Sequence, residues 1–308
     1  MPDYGHPIEF GFFLDPSTGD PARTLEIAGI LDRLGFDLIG IQDHPYNPKH
    51  YDALTLAGLI LGQTSRIRVF PDVACLPLRP PTMLAKQAAT LDALSGGRFE
   101  LGLGAGAFWD PIAGMGGPRR EPRAAIDALR EAILLTREAW SGRPVRSVGE
   151  QYPDLGARIG PLPAHPMGIW LGVLGPRALR LTGELADGWV PSMSYLPPVK
   201  AAVSSAVIDD AARAAGRHPS AIRRIYNVGD DVTPTIESGS DEDGKIEGPR
   251  AHWVDVLSHL AVDHGFGTFV FWGVQTEPRL RMFIEEISPA VRERVAGIRA
   301  YRGTTPAS

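Results

Sequence analysis

The residues best suited to chemistry lie in four short segments. IQDHPY (41–46) closes an apolar run with Asp43 and His44. This pairs a carboxylate with the side chain best able to move protons near neutral pH. If the run is a strand of a parallel barrel, the pair stands at its C-terminal end, where barrels carry their chemistry. A turn capped by Asp and His ahead of Pro45 is the plainer reading. SGGRFELGLGAGAF (95–108) places a glycine-rich loop directly after another apolar run. Glycine lets backbone approach a flat ligand closely and tolerates positive φ; small residues fitting a narrow mouth would look the same. Gly102, Gly104, Gly106 and Ala107 meet a loose GxGxxG/A pattern, but the turn follows the fourth strand. No ribose-binding acid comes at the usual distance, so a Rossmann site does not follow. LGVLGPRALR (171–180) has Gly172 and Gly175 in a strand-to-helix turn, with Pro176 and Arg177 opening the helix. Free N–H groups and a fixed cation there suit a phosphate. An ordinary turn with a surface arginine is the alternative. IRVFPDVACLPLRPP (67–81) ends a strand at Asp72, Val73 and Cys75.

The elements that must position these residues alternate. Apolar runs at 8–13, 36–42, 67–74, 98–104, 167–173, 187–192, 221–229 and 266–273 read as strands. Helical patterns follow at 21–35, 52–64, 81–95, 121–140, 176–186, 197–216, 252–265 and 277–288. The first has Leu25, Ala28, Leu31 and Leu34 on one side and stops at Gly35; another stops at Gly96-Gly97. Strands apolar on both faces, alternating with helices, indicate a parallel sheet covered by helices. Eight unbroken cycles predict an α/β fold, a single (β/α)8 TIM barrel spanning 1–308. Residues 143–166 read as an excursion of loop and short hairpin after the fourth helix. The acidic, Gly/Pro-rich stretch 230–250 reads as a long mobile loop after the seventh strand, either a lid or a tolerated insertion.

Composition narrows the function. The formal net charge is −5 and the arginines are scattered, so nucleic acid is not the expected partner. Cys75 is the only cysteine, which forbids an intrachain disulfide and points to a reducing, cytoplasmic setting. The start MPDYGHPIEF has neither a basic nor an apolar signal region, and no apolar run approaches a membrane span. Gly239 to Lys245 spells GxxxxGK, yet Ile246 stands where Ser or Thr would hold Mg²⁺, so it is not a P-loop. No HxH, HExxH or CxxC pair supports a metal; His252, His259 and His264 on one helix read as solvated or capping. The tryptophans read as packing aromatics, with Trp189 and Trp272 near enough to strand ends to line a pocket.

Three blocks, GFDLIGIQDH, LPLRPPTMLAKQAATLDALSGGRFELGLGAG and MGIWLGVLGPRALRLTGELADGW, in this order resemble the luciferase-like family of flavin-dependent oxidoreductases. The resemblance runs from about residue 8 to 290. It implies a barrel with either FMN or the deazaflavin coenzyme F420 across the strand C-termini. It matches Asp43 and His44 to a pair beside the reactive ring atom, with the histidine taking the substrate hydroxyl proton as hydride leaves. A non-proline cis peptide under the ring is expected at Asp72-Val73. Gly104, Ala105, Gly106 and Ala107, with Gly172, Leu174, Gly175, Pro176 and Arg177, match the regions that hold the ribityl and phosphate groups. Ala107 replaces the second acid of the family's sugar-phosphate dehydrogenases, and Phe108-Trp109 points to a more apolar substrate. Three functions follow from the resemblance: F420-dependent hydride transfer, an FMN-dependent monooxygenase fed by a separate reductase, or a non-catalytic flavin-binding barrel. A homodimer is implied in each case.

Overall fold

The computed structural model describes residues 3–153, 156–231, 245–273 and 276–304. Its main sheet takes β1 (Glu9–Leu14), β2 (Leu38–Ile41), β3 (Arg68–Pro71), β4 (Ala74–Cys75) and β5 (Leu101–Gly104) from the first half. The hairpin β6 (Pro144–Arg146) and β7 (Gly156–Arg158) is a separate antiparallel pair within 143–166. The second half supplies β8 (Ile169–Leu171), β9 (Gly188–Trp189), β10 (Arg223–Asp231), β11 (Lys245–Glu247) and β12 (Thr268–Trp272). All pairings in the main sheet are parallel, in the order β3-β2-β1-β12-β10-β9-β8-β5-β4, with β11 added to β10. The path counts nine because Asp72 and Val73 separate β3 from β4. The open side is bridged where Val69 N–H donates to Arg98 O (2.9 Å) and Glu100 N–H to Val69 O (3.1 Å). The sheet is therefore a nearly closed barrel.

Side-chain alternation sorts two layers. Leu38, Phe70, Trp170, Val190, Ile225 and Val270 point inward and fill the axis. Ile39, Ile41, Val69, Leu101, Ile169 and Leu171 point outward beneath the helices. The inner register demands glycine at one strand: a Cβ on Gly102 would lie 2.0 Å from Pro71 O. At the N-terminal end of the strands, Arg68 and Arg223 each reach Glu9 at 2.9 Å, and Arg68 meets Glu100 at 3.5 Å. These charges plug the face opposite the site.

Helices α1 (Pro21–Leu34), α2 (Ala53–Gln63) and α3 (Pro81–Ser95) cover the first strands. Asp20 caps α1 by accepting from Arg23 N–H, and Gly35 ends it at φ 91°. Next come α4 (Trp109–Gly114), a short helix absent from the sequence reading, and α5 (Pro122–Trp140). They are followed by α6 (Pro176–Leu185), α7 (Pro198–Ala214) and α8 (Arg250–Val262). The helix expected over 277–288 is longer and composite. It comprises α9 (Glu277–Met282), one π-helical turn (Phe283–Ile287) and α10 (Ser288–Thr304). Pro289 falls in the first turn of α10, where a missing N–H costs least, and Val291 and Val295 keep the helix buried. The expected 230–250 loop contains the end of β10 and all of β11, while 232–244 lies outside the described residues. Among the described residues no helix is long and apolar enough to cross a membrane, and no cluster of His, Cys, Asp or Glu could hold a metal.

Candidate active site

A cavity of about 620 Å³ opens at the C-terminal ends of the strands. Asp43, His44 and Tyr46 line it from the loop after β2, and Val73, Ala74 and Cys75 from the β3–β4 break. The loop after β5 contributes Gly104 through Trp109, and the β8–α6 turn contributes Gly172 through Ala178. The start of α5 adds Arg123. Parallel strands order these loops side by side, so segments distant in sequence share one mouth.

Asp43 is buried and its carboxylate is fully engaged. Oδ2 accepts from Cys75 N–H (2.8 Å) and Arg79 Nε (2.7 Å), and Oδ1 accepts from Arg79 Nη2 (2.7 Å). Arg79 also reaches Asp52, the N-cap of α2. Asp43 makes no hydrogen bond to the His44 ring. Tyr46 makes that contact: its hydroxyl meets His44 Nδ1, with the ring centroids 5.3 Å apart. Phe108 packs edge-on against His44 at 5.6 Å and lies 6.0 Å from Tyr46. Partial burial pushes the His44 pKa below its ordinary value, and the neighbouring His50 adds to this against the pull of Asp43. Burial, then the acids Cys75 and Asp43, pushes the Tyr46 hydroxyl up to about 12. Burial likewise raises the Cys75 thiol to about 11, so it is not a thiolate.

The peptide bond Asp72–Val73 is cis, at the position the resemblance implies. Val73 lines the cavity, whereas Asp72 turns away from it. The Asp72 carboxyl lies in the barrel, with Oδ2 3.1 Å from where a Cβ of Gly40 would stand, and it meets Asn227. Oδ2 is buried without a hydrogen-bond partner, and burial raises this group to about 7.

The wall around Val73 is a cradle that side chains would fill. A Cβ on Gly104 or Gly172 would lie 2.7 or 2.9 Å from Val73 Cγ2. Gly106 has φ +94°, and a Cβ there would meet Pro77 Cγ at 2.6 Å. At the end of the cavity, α6 starts at Gly175-Pro176 without a side-chain cap, beside Arg177. Arg177 and Arg123 flank Asp127 at 3.6 and 3.8 Å. A flat ring against Val73 and the glycines, with a phosphate at the open helix terminus, fits a flavin-type cofactor. Val73, Gly104 to Ala107 and Gly172 to Arg177 are the residues that would hold it.

All the site residues expected from the sequence border this cavity except Asp72. Trp189 does not: it is fully buried and its Nε1–H donates to Val173 O (2.9 Å). Trp109 does, with Tyr46 and Arg123, while Arg79 acts from behind Asp43. Of these, the sequence singles out Trp109, in the Phe108-Trp109 pair, but neither Arg123 nor Arg79. Tyr46 stands only two residues past His44, within the segment IQDHPY.

A family model described as luciferase-like monooxygenase matches residues 5–237. An F420-dependent glucose-6-phosphate dehydrogenase of Nakamurella multipartita is 30% identical over 219 residues, 68% of this chain and 64% of that protein. The chain thus matches less than two thirds of that relative. A protein of the same name from Microbacterium testaceum is 26% identical, over 94% of this chain and 99% of its own length. Among solved structures, the coenzyme F420 dependent tetrahydromethanopterin reductase of Methanopyrus kandleri superposes with a TM-score of 0.77 at 20% identity. It covers 92% of this chain and 99% of its own. An F420-dependent secondary alcohol dehydrogenase, in complex with an F420-acetone adduct, gives 0.79 at 19% identity over the same shares. At those identities the solved structures speak for the fold alone. With the family model covering most of the chain and the three sequence blocks meeting at one cavity, the chain belongs to the luciferase-like monooxygenase family.

Proposed function

We propose that this protein is an oxidoreductase that exchanges a hydride between coenzyme F420 and a small organic substrate, with His44 as the acid–base group. The observation that carries this reading is the convergence of a half-buried histidine, the Val73 step and an uncapped helix terminus on one cavity. The cofactor, when bound, supplies the hydride chemistry. The chain supplies position, water exclusion and a proton at His44.

The substrate reading follows the wall. Phe108 and Trp109 present apolar surface, and Ala107 offers no second acid. Among the described residues the lysines and arginines of the wall are Arg177, beside the α6 terminus that would take the cofactor phosphate, and Arg123 at the start of α5, and both pair with Asp127. With Arg177 taken by the cofactor phosphate and Arg123 paired with Asp127, an alcohol, ketone, imine or enone suits the site better than a sugar phosphate. This reading takes 1–308 as one domain and counts β3 and β4 as one interrupted strand of an eightfold barrel. It also takes the protein as a cytoplasmic homodimer.

The test is titration of the purified protein with F420 and, separately, with FMN, read by quenching of tryptophan fluorescence. Tight binding of F420 with weak FMN binding is expected. Tight binding of FMN alone would replace this reading with an oxygenase that takes reduced FMN from a separate reductase. Binding of neither would favour a barrel without catalysis.

A further inference from the structure

Among the described residues, the hydrogen-bond inventory of His44 is short. Nδ1 meets the Tyr46 hydroxyl, and Nε2 has no hydrogen-bond partner. The phenol carries one proton, and the Tyr46 hydroxyl has no acceptor but His44 there. If Nδ1 held the ring proton, two protons would face each other across this contact unless the tyrosine proton turned away from every protein acceptor. The neutral ring that satisfies both groups carries its proton on Nε2.

We propose that Tyr46 is a positioning residue that sets the tautomer of His44: its hydroxyl donates to Nδ1, the ring proton sits on Nε2, and the resting site offers a proton to a substrate carbonyl or imine. The proposal rests on the acid–base reading of His44 and adds its direction. The surroundings favour it. Asp43 makes no hydrogen bond to Nδ1; its oxygens accept from Arg79 and Cys75 N–H instead. Phe108 closes one side of both rings. The titratable and charged groups facing the pair are Asp43, His50, Cys75 and Arg79, with Arg123 and Arg177 elsewhere on the wall. Burial and His50 keep the imidazole neutral, and burial keeps the phenol protonated.

The proton balance is then complete. For reduction of a carbonyl, a bound deazaflavin would supply the hydride with both electrons to the carbon, and His44 gives its Nε2 proton to the oxygen. The Tyr46 proton passes to Nδ1 as Nε2 empties, so the ring stays neutral, and the one proton that the reduction consumes enters from solvent to restore the tyrosine. Oxidation of an alcohol runs each transfer backwards.

Tyr46→Phe keeps the ring and removes the hydroxyl. Nitrogen-15 spectra of histidine-labelled protein without cofactor read the tautomer directly, with the His44 signals assigned by their loss in His44→Gln. Wild type should show the Nε2–H tautomer. Tyr46→Phe should show a mixture and a titration midpoint raised by about one unit, since the donor favouring the neutral ring is gone. With cofactor and a ketone, Tyr46→Phe should lower kcat by roughly 10-fold to 100-fold and leave KM within about twofold. A wild-type proton on Nδ1, or a Tyr46→Phe spectrum and titration like wild type, would overturn the proposal. An undiminished rate in His44→Ala alongside the expected spectra would instead remove the acid–base reading and leave Tyr46's control of the ring standing.

Discussion

At the scale of single residues, the barrel has divided a short run of polar groups into distinct tasks. Asp43 and His44 are neighbours in sequence, yet one is tied to Arg79 in the wall and the other presents its free edge to the cavity. Asp72 and Val73 divide similarly, with Val73 on the cavity and Asp72 in the barrel. Asp72 makes a pH prediction. Its folded-state pKa of about 7 lies above the unfolded value near 4, so the folded chain binds the extra proton. Stability from this group is full below pH ~4 and is lost as pH rises through ~7. The shift corresponds to at most about 4 kcal/mol. Asp72→Asn has the shape of the protonated acid. Urea unfolding should find it more stable than wild type at pH 8, by about 2–4 kcal/mol, and close to wild type below pH ~4. Parallel stability profiles for the two proteins would show that Asp72 is ionised in the folded chain.

At the scale of elements, the strand-to-helix turns decide what binds. The α6 terminus is open because Gly175 caps without a side chain and Pro176 has no N–H to satisfy. Arg177→Ala should weaken binding of the phosphate-bearing cofactor by roughly tenfold, the worth of one charge-assisted hydrogen bond. Binding of the same ring system without its phosphate should be unchanged. Equal losses for both ligands, compared by fluorescence quenching, would move the phosphate elsewhere. The sequence-based boundaries show where element reading works. Gly35 and Gly96 mark the ends of α1 and α3 because only glycine takes left-handed φ without cost. The reading fails at the last helix, where Pro289 stands at the start of α10 and burial of Val291 and Val295 carries the chain on.

At the scale of the whole molecule, the two ends of the barrel are built for different purposes. Glu9, Arg68, Glu100 and Arg223 bind the N-terminal ends together with ion pairs, and the C-terminal ends stay open around the cavity. The outer face carries apolar side chains as well. Leu59 on α2 and Met83 and Leu94 on α3 are 58%, 50% and 84% exposed, which is costly in water and suits a homodimer face. Light scattering at micromolar concentration should give twice the chain mass, and Leu94→Glu should shift it toward the monomer. A monomeric wild type would exclude that assembly.

The sequence by itself determined the alternation of strand and helix, the loops that carry polar residues, and the family to which they belong. Those signals are local: hydrophobic period, glycine stops, and short motifs read along the chain. Tertiary structure alone decided which side chains meet. Nothing along the chain shows that Arg79, 36 residues after Asp43, takes both its oxygens, or that Asp72 faces Asn227 across the barrel. Those partners are set by barrel closure and strand register, where a shift of one residue turns a side chain from the cavity to the core. Tyr46 lies between the two cases. It is close to His44 in sequence, but only the fold of the loop after β2 brings its hydroxyl to the imidazole.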